Sequence, residues 1–115
     1  MKILRYYQTR EGKEPYQEWL QNLRDSVAVM QITKRVRRLC LGNPGDVEPV
    51  GEGLFELRIH SGPGYRAYYA EQGREVVVLL FGGDKGSQQR DINKAKIYWK
   101  DYLERYHEKS RPKKS

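Results

Sequence analysis

Cysteine and histidine are almost missing from this chain: Cys40 stands alone, and His60 and His107 are the two imidazoles. A lone cysteine cannot close an intramolecular disulfide, and so few soft ligands argue against a structural zinc site or a histidine-rich metal centre. Apolar runs are short as well. None approaches the roughly 18 residues that a membrane-spanning helix needs, and the opening MKILRYYQTREG lacks the apolar core of a secretory leader. The expected setting is a reducing cytoplasm, with no membrane contact, metal or cofactor. A nucleophile elbow is missing too, and the glycines of Gly62-Pro63-Gly64 and of Gly82-Gly83-Asp84-Lys85-Gly86-Ser87 have the wrong spacing for a phosphate-binding P-loop.

What the chain has in excess is positive charge. Its net charge is +7, and the excess is uneven: residues 54–115 hold 13 Lys and Arg against 8 Asp and Glu, residues 1–53 hold 9 against 7. Such a field favours a polyanion, or an acidic protein that covers the same surface. At 115 residues the chain fits one domain. That domain is assigned to residues 1–106, and 107–115, with Arg111-Pro112-Lys113-Lys114, reads as a basic disordered tail.

Periodicity organises the domain around residues 54–99. Three β-type runs, 54–60, 65–71 and 75–81, are separated by Ser61-Gly62-Pro63-Gly64 and Gln72-Gly73 and followed by a break at Gly82-Gly83-Asp84-Lys85-Gly86. In the first run Phe55, Leu57 and Ile59 alternate with Glu56, Arg58 and His60; in the second, Arg66 and Tyr68 lie opposite Tyr65, Ala67 and Tyr69. An antiparallel meander thus carries Glu56, Arg58, His60, Arg66 and Tyr68 on one face, with Lys85 at its lip. The third run is apolar throughout and predicts a central strand buried on both faces.

Upstream, residues 2–7 suit a further strand. Pro15 opens a helix striped by Tyr16, Trp19, Leu20 and Leu23. Asp25-Ser26 caps a second helix with Val29, Ile32, Val36, Leu39 and Cys40 on one side and Lys34, Arg35, Arg37 and Arg38 mostly on the other; Gly42 ends it. Residues 46–53, anchored only by Val47 and Val50, predict no firm strand. Ser87 is the expected cap of a last helix whose apolar face is Ile92, Ala95, Trp99, Tyr102, Leu103 and Tyr106.

The chemistry these residues suit is metal-free RNA cleavage. The RNA's own 2′-hydroxyl attacks the adjacent phosphate, so a protein need only orient it, offset charge and move protons. Arginine suits bidentate phosphate contact, and a lysine among cations loses its proton more easily. Arg58, Arg66 and Lys85 fill those roles, with His60 as the other titratable group.

The segments ELRI at 56–59, GPGYRAYY at 62–69, VVLLFGGDK at 77–85 and Gln88, Asp91, Ile92 and Ala95 after them resemble the toxins of type II toxin–antitoxin modules in the RelE/ParE superfamily, in particular the phage-derived HigB-like "addiction module killer" group. The resemblance covers nearly all of 1–102. It implies an α+β fold: an antiparallel sheet, an N-terminal helical hairpin on one face and a C-terminal helix. It also implies cleavage of mRNA on the ribosome, and a cognate helix-turn-helix antitoxin that binds the toxin in a hetero-oligomer. Carried onto this chain, Arg66 of Gly64-Tyr65-Arg66 matches the phosphate-stabilising arginine, Arg58 a basic strand position and Lys85 the basic position after the last strand. Tyr68, Gln88 and Lys94 complete the expected RNA-contacting set. Two other readings share the scaffold: a ParE-like poison of DNA gyrase, and a non-catalytic RNA-binding module that stacks bases on Tyr65, Tyr68 and Tyr69.

Overall fold

The computed structural model describes residues 1–110, without the side chains of 108–110. The elements are β1 (Ile3–Tyr6), α1 (Pro15–Asn22), α2 (Ser26–Cys40), β2 (Val47–Gly51), β3 (Leu54–Ile59), β4 (Tyr65–Gln72), β5 (Val76–Asp84), a 3₁₀ turn (Lys85–Ser87) and α3 (Gln88–Ser110). The strands form one sheet in the order β1-β5-β4-β3-β2, a mixed α+β architecture with α3 at its C-terminal end.

The helix boundaries follow local chemistry. The Asp25 carboxylate accepts the Ala28 amide at 3.1 Å, capping α2. At the other end Gly42 has φ +88°, its amide reaches the Leu39 carbonyl, and the Asn43 amide reaches that of Arg38. These paired bonds are a Schellman closure, which needs a residue without a β-carbon at Gly42. Pro15 starts α1 as expected.

The meander β3-β4-β5 is antiparallel, with Leu57 opposite Ala67 and Arg58 opposite Arg66. Alternation then sorts the side chains. Leu57, Ile59, Tyr65, Ala67, Tyr69 and Leu79 join Ile32, Val36 and Leu39 beneath the helical hairpin, while Leu54, Tyr68, Ala70, Val78 and Leu80 join Ile92, Ala95 and Trp99 beneath α3. β5 is covered on both faces, which is why its sequence is nearly all apolar.

Several expectations are corrected. The sheet is not wholly antiparallel: β1 lies parallel to β5, Ile3 opposite Val76 and Arg5 opposite Val78. Period-two alternation looks the same in either direction, so strand polarity is not written in it. Residues 47–51 do form a strand, antiparallel to β3 at the sheet edge, where Pro49 is tolerated because its missing N–H faces no neighbour. Arg35 turns inward rather than outward, donating to the carbonyls of Arg58, Pro44 and Asp46. Leu103 and Tyr106 are exposed rather than part of the apolar face of α3. Residues 107–110 are helical, because no glycine or proline interrupts α3 before Pro112; the rest of the expected tail, 111–115, lies outside the described residues.

The expected break at Gly82-Gly83 is instead the end of β5. Both glycines remain in the strand because side chains occupy the space a β-carbon would need: the Trp19 ring from α1 at Gly82 and the Asp91 carboxylate from α3 at Gly83. This close approach on opposite faces fixes both helices against one strand. Gly82→Ala is expected to destabilise the fold by about 2 kcal/mol through overpacking against Trp19. With open space above it, alanine in a strand would instead stabilise by roughly 0.5–1 kcal/mol, so the sign of the change in urea unfolding tests the Trp19 contact.

Candidate functional site

Register brings Arg58 and Arg66 side by side on the α3 face of β3 and β4. Two residues before Arg58 on the same face is Glu56, completely buried. One Glu56 oxygen accepts the Arg58 Nε–H at 2.8 Å and lies 3.1 Å from Arg66 Nε; the other accepts from the Gln88 amide at 2.9 Å. The Arg66 approach is an ion pair that is out of line for a hydrogen bond. Burial alone raises the Glu56 pKa. The hydrogen bonds from Arg58 and Gln88 and the charge of Arg66 outweigh it and hold the carboxyl below the ordinary glutamate value. One anion therefore serves two guanidinium groups and leaves a net positive charge; the exposed Glu48 carboxylate, 3.7 Å from Arg58, offsets it only in part.

Lys85 is held at this site by backbone chemistry. Ser61 and Gly64 close the β3–β4 turn, Gly64 at φ +84°, and the Lys85 amide donates to the Gly64 carbonyl at 3.1 Å. Asp84 caps the 3₁₀ turn that precedes α3, accepting the Gly86 and Ser87 amides at 2.9 and 3.2 Å. The Ser87 hydroxyl is used elsewhere, donating to Asp91. The Lys85 side chain stays exposed.

His60, 75 % exposed, follows β3, and its Nε2 lies 2.6 Å from Asp46. An ionised carboxylate can only accept, so Nε2 is the nitrogen that carries a hydrogen toward Asp46. The His60 hydrogen bond is the main cause that holds Asp46 below the usual carboxylate range. Asp46 is itself fixed by Arg35 through its carbonyl, a contact no sequence pattern announced.

Arg58, His60, Tyr65, Arg66 and Lys85, with Ile59 and Gly64, line one cleft of about 130 Å³. That is well below the roughly 300–1,000 Å³ of an ordinary small-molecule pocket and suits a single compact anion. Among the described residues no group of three or more His, Cys, Asp or Glu is placed to hold a metal ion.

The expected RNA-contacting residues fare differently. Tyr68 is fully buried beneath α3 and cannot stack on a base; its phenol is pushed up by burial. Gln88 is half-buried and orients Glu56. Lys94 is exposed, its ammonium 5.4 Å above the Phe81 ring, in a separate hollow with Trp19 and Tyr98. Sequence reasoning listed Glu56 on the right face but missed that it organises the site. The signal was present: a glutamate two residues from an arginine in a strand shares its face.

The family described as "Phage derived protein Gp49-like (DUF891)" matches residues 18–100. An uncharacterized protein of Haemophilus influenzae is 45% identical over 82 residues, which cover 71% of this chain and 83% of that protein.

Because the Glu56 pKa is depressed in the folded state, its contribution to stability is fully present above the ordinary value of 4.5 and is lost as pH falls through the lower folded value. The urea midpoint of the wild type is expected to drop below pH 4.5. Glu56→Gln should remove that part of the acid dependence and be less stable by about 3 kcal/mol at pH 7, having left the largely buried Arg66 without its carboxylate. Parallel urea titrations at pH 3.5 and 7 measure both.

Proposed function

Since the chain belongs to the Gp49-like family of phage-derived proteins, a family associated with toxin–antitoxin modules, we propose that it is the toxin of such a module and that it cleaves RNA without a metal ion. The observation that carries this reading is the pairing of Arg58 and Arg66 on one buried glutamate, at a cleft that Lys85 and His60 share. The likeness of residues 56–95 to RelE/ParE toxins supports mRNA on the ribosome as the substrate and a helix-turn-helix antitoxin as the partner.

In the proposed reaction the 2′-oxygen attacks the adjacent phosphorus, its proton passes to a base, and the bond to the 5′-oxygen breaks as an acid protonates it. The products are a 2′,3′-cyclic phosphate and a 5′-hydroxyl. Arg66 is tied to Glu56 through Nε, which leaves its two Nη nitrogens for non-bridging phosphate oxygens; Arg58 adds a second cation from the next strand. Charge that grows on those oxygens in the transition state meets donors already in position. His60, oriented by Asp46, suits the base, and the Lys85 ammonium suits the acid.

Arg66→Ala is expected to retain the fold, since Glu56 keeps Arg58 and Gln88, and to lower single-turnover cleavage on programmed ribosomes by on the order of a hundredfold. Arg66→Lys should restore little, because a point charge does not reproduce the planar fork. Lys85→Ala should slow the chemical step without a matching loss of ribosome affinity. Wild-type rates in both alanine variants would refute the nuclease assignment, and DNA breaks on induction would then favour a gyrase poison.

A further inference from the structure

The two edges of the sheet are built differently. At the β2 edge Pro49 has no N–H to offer, the register shifts between Pro49 and Gly51, and Glu48 faces Arg58. These features block the approach of another strand. Among the described residues the β1 edge has neither a proline nor a register shift. Ile3 and Tyr7 donate to Glu75 and Leu79 on the β5 side, so by alternation the N–H and C=O groups of Leu4 and Tyr6 point away from the sheet. On that open side the Lys2 amide already donates to the Cys40 carbonyl at 2.8 Å, as it would to an added strand. Ile3 and Tyr6 are 54 % and 43 % exposed.

Troughs on either side of this edge would receive the side chains of an added strand. A hollow of about 500 Å³ on the hairpin side is walled by Leu4, Tyr16, Leu20, Val36 and Cys40, with Thr33 and Arg37 at its rim. Another of about 450 Å³ runs to the end of α3 and is lined by Arg5, Tyr102, Arg105 and Tyr106. The two together hold Lys2, Arg5, Arg37 and Arg105 against the single carboxylate of Glu14 among the described residues. Lys2 and Arg105 have carboxylate partners in Glu71 and Asp101; among the described residues no carboxylate pairs with Arg5, which donates to the Tyr102 hydroxyl at 3.3 Å, or with Arg37.

We propose that the β1 edge is a docking site for an extended segment of an acidic partner protein, which pairs with Leu4 and Tyr6 as a sixth strand. Because side chains alternate along a strand, the segment carries apolar residues toward the hairpin trough and Asp or Glu toward Arg5. A second copy of this chain fits poorly: pairing β1 with β1 would set Lys2 and Arg5 of two +7 molecules against each other. This surface is separate from the Arg58–Arg66 cleft, so the inference does not depend on the nuclease reading.

Two blocked eight-residue peptides test it, one alternating valine with glutamate and one alternating valine with lysine, each added to the full-length protein while amide exchange is followed by NMR. The glutamate peptide is expected to slow exchange at Leu4 and Tyr6 by about tenfold or more, and the lysine peptide to bind at least about tenfold more weakly. Thr33→Trp, which fills the hairpin trough from an exposed position, should abolish the protection. Arg5→Glu should invert the preference between the peptides. Unchanged exchange at Leu4 and Tyr6 with both peptides, or equal binding of both, would overturn the proposal. So would protection without peptide that grows with protein concentration, which would identify a second copy as the occupant.

Discussion

Glu56 is the group on which the geometry of the cleft depends. A carboxylate with no exposure to water costs several kcal/mol unless donors and cations surround it, and the partners here come from three elements: Arg58 on its own strand and Gln88 at the start of α3 as donors, and Arg66 on the next strand as an ion pair. Any slip of β3 against β4 would break one of these contacts, as would a shift of α3 along the sheet. The same interaction holds two guanidinium groups in one orientation. Fixed donors are what a developing phosphate charge needs, since nothing must reorganise as it forms.

A second constraint acts through absence of side chains. At the end of β5, Gly82 and Gly83 let Trp19 and Asp91 approach the backbone from opposite faces. Asp91 in turn takes the Ser87 hydroxyl, and Asp84 takes the amides around it. The turn that carries Lys85 is thus held by carboxylates on both of its flanks and by the Gly64 carbonyl. An exposed lysine is ordinarily a mobile point charge; here its backbone is anchored beside the arginine pair while the side chain is exposed.

The positive charge of the chain falls on two unlike surfaces. Around the cleft it is concentrated on strands and a turn within a hollow the size of a small anion. Along β1 it borders apolar troughs and an unpaired backbone edge, features that suit a polypeptide rather than a phosphate. A single net charge of +7 is therefore compatible with one polyanionic and one acidic protein partner, bound at separate places.

Alternation in 54–60 and 65–71, the turn residues between them and the caps at Asp25 and Gly42 are local properties, and these determined by themselves the meander, the helical hairpin and the shared face of Glu56, Arg58 and Arg66. Local patterns carry no information about partners distant in the chain. The parallel seating of β1, the edge strand at 47–51, the inward turn of Arg35 and the extension of β5 through two glycines were decided by what lay beside them after folding. Tyr68 shows the difference most plainly. Its position in the strand put it on the face of the arginines, but only the packing of α3 decided that this part of the face would be covered, so a residue that reads as a stacking surface is core.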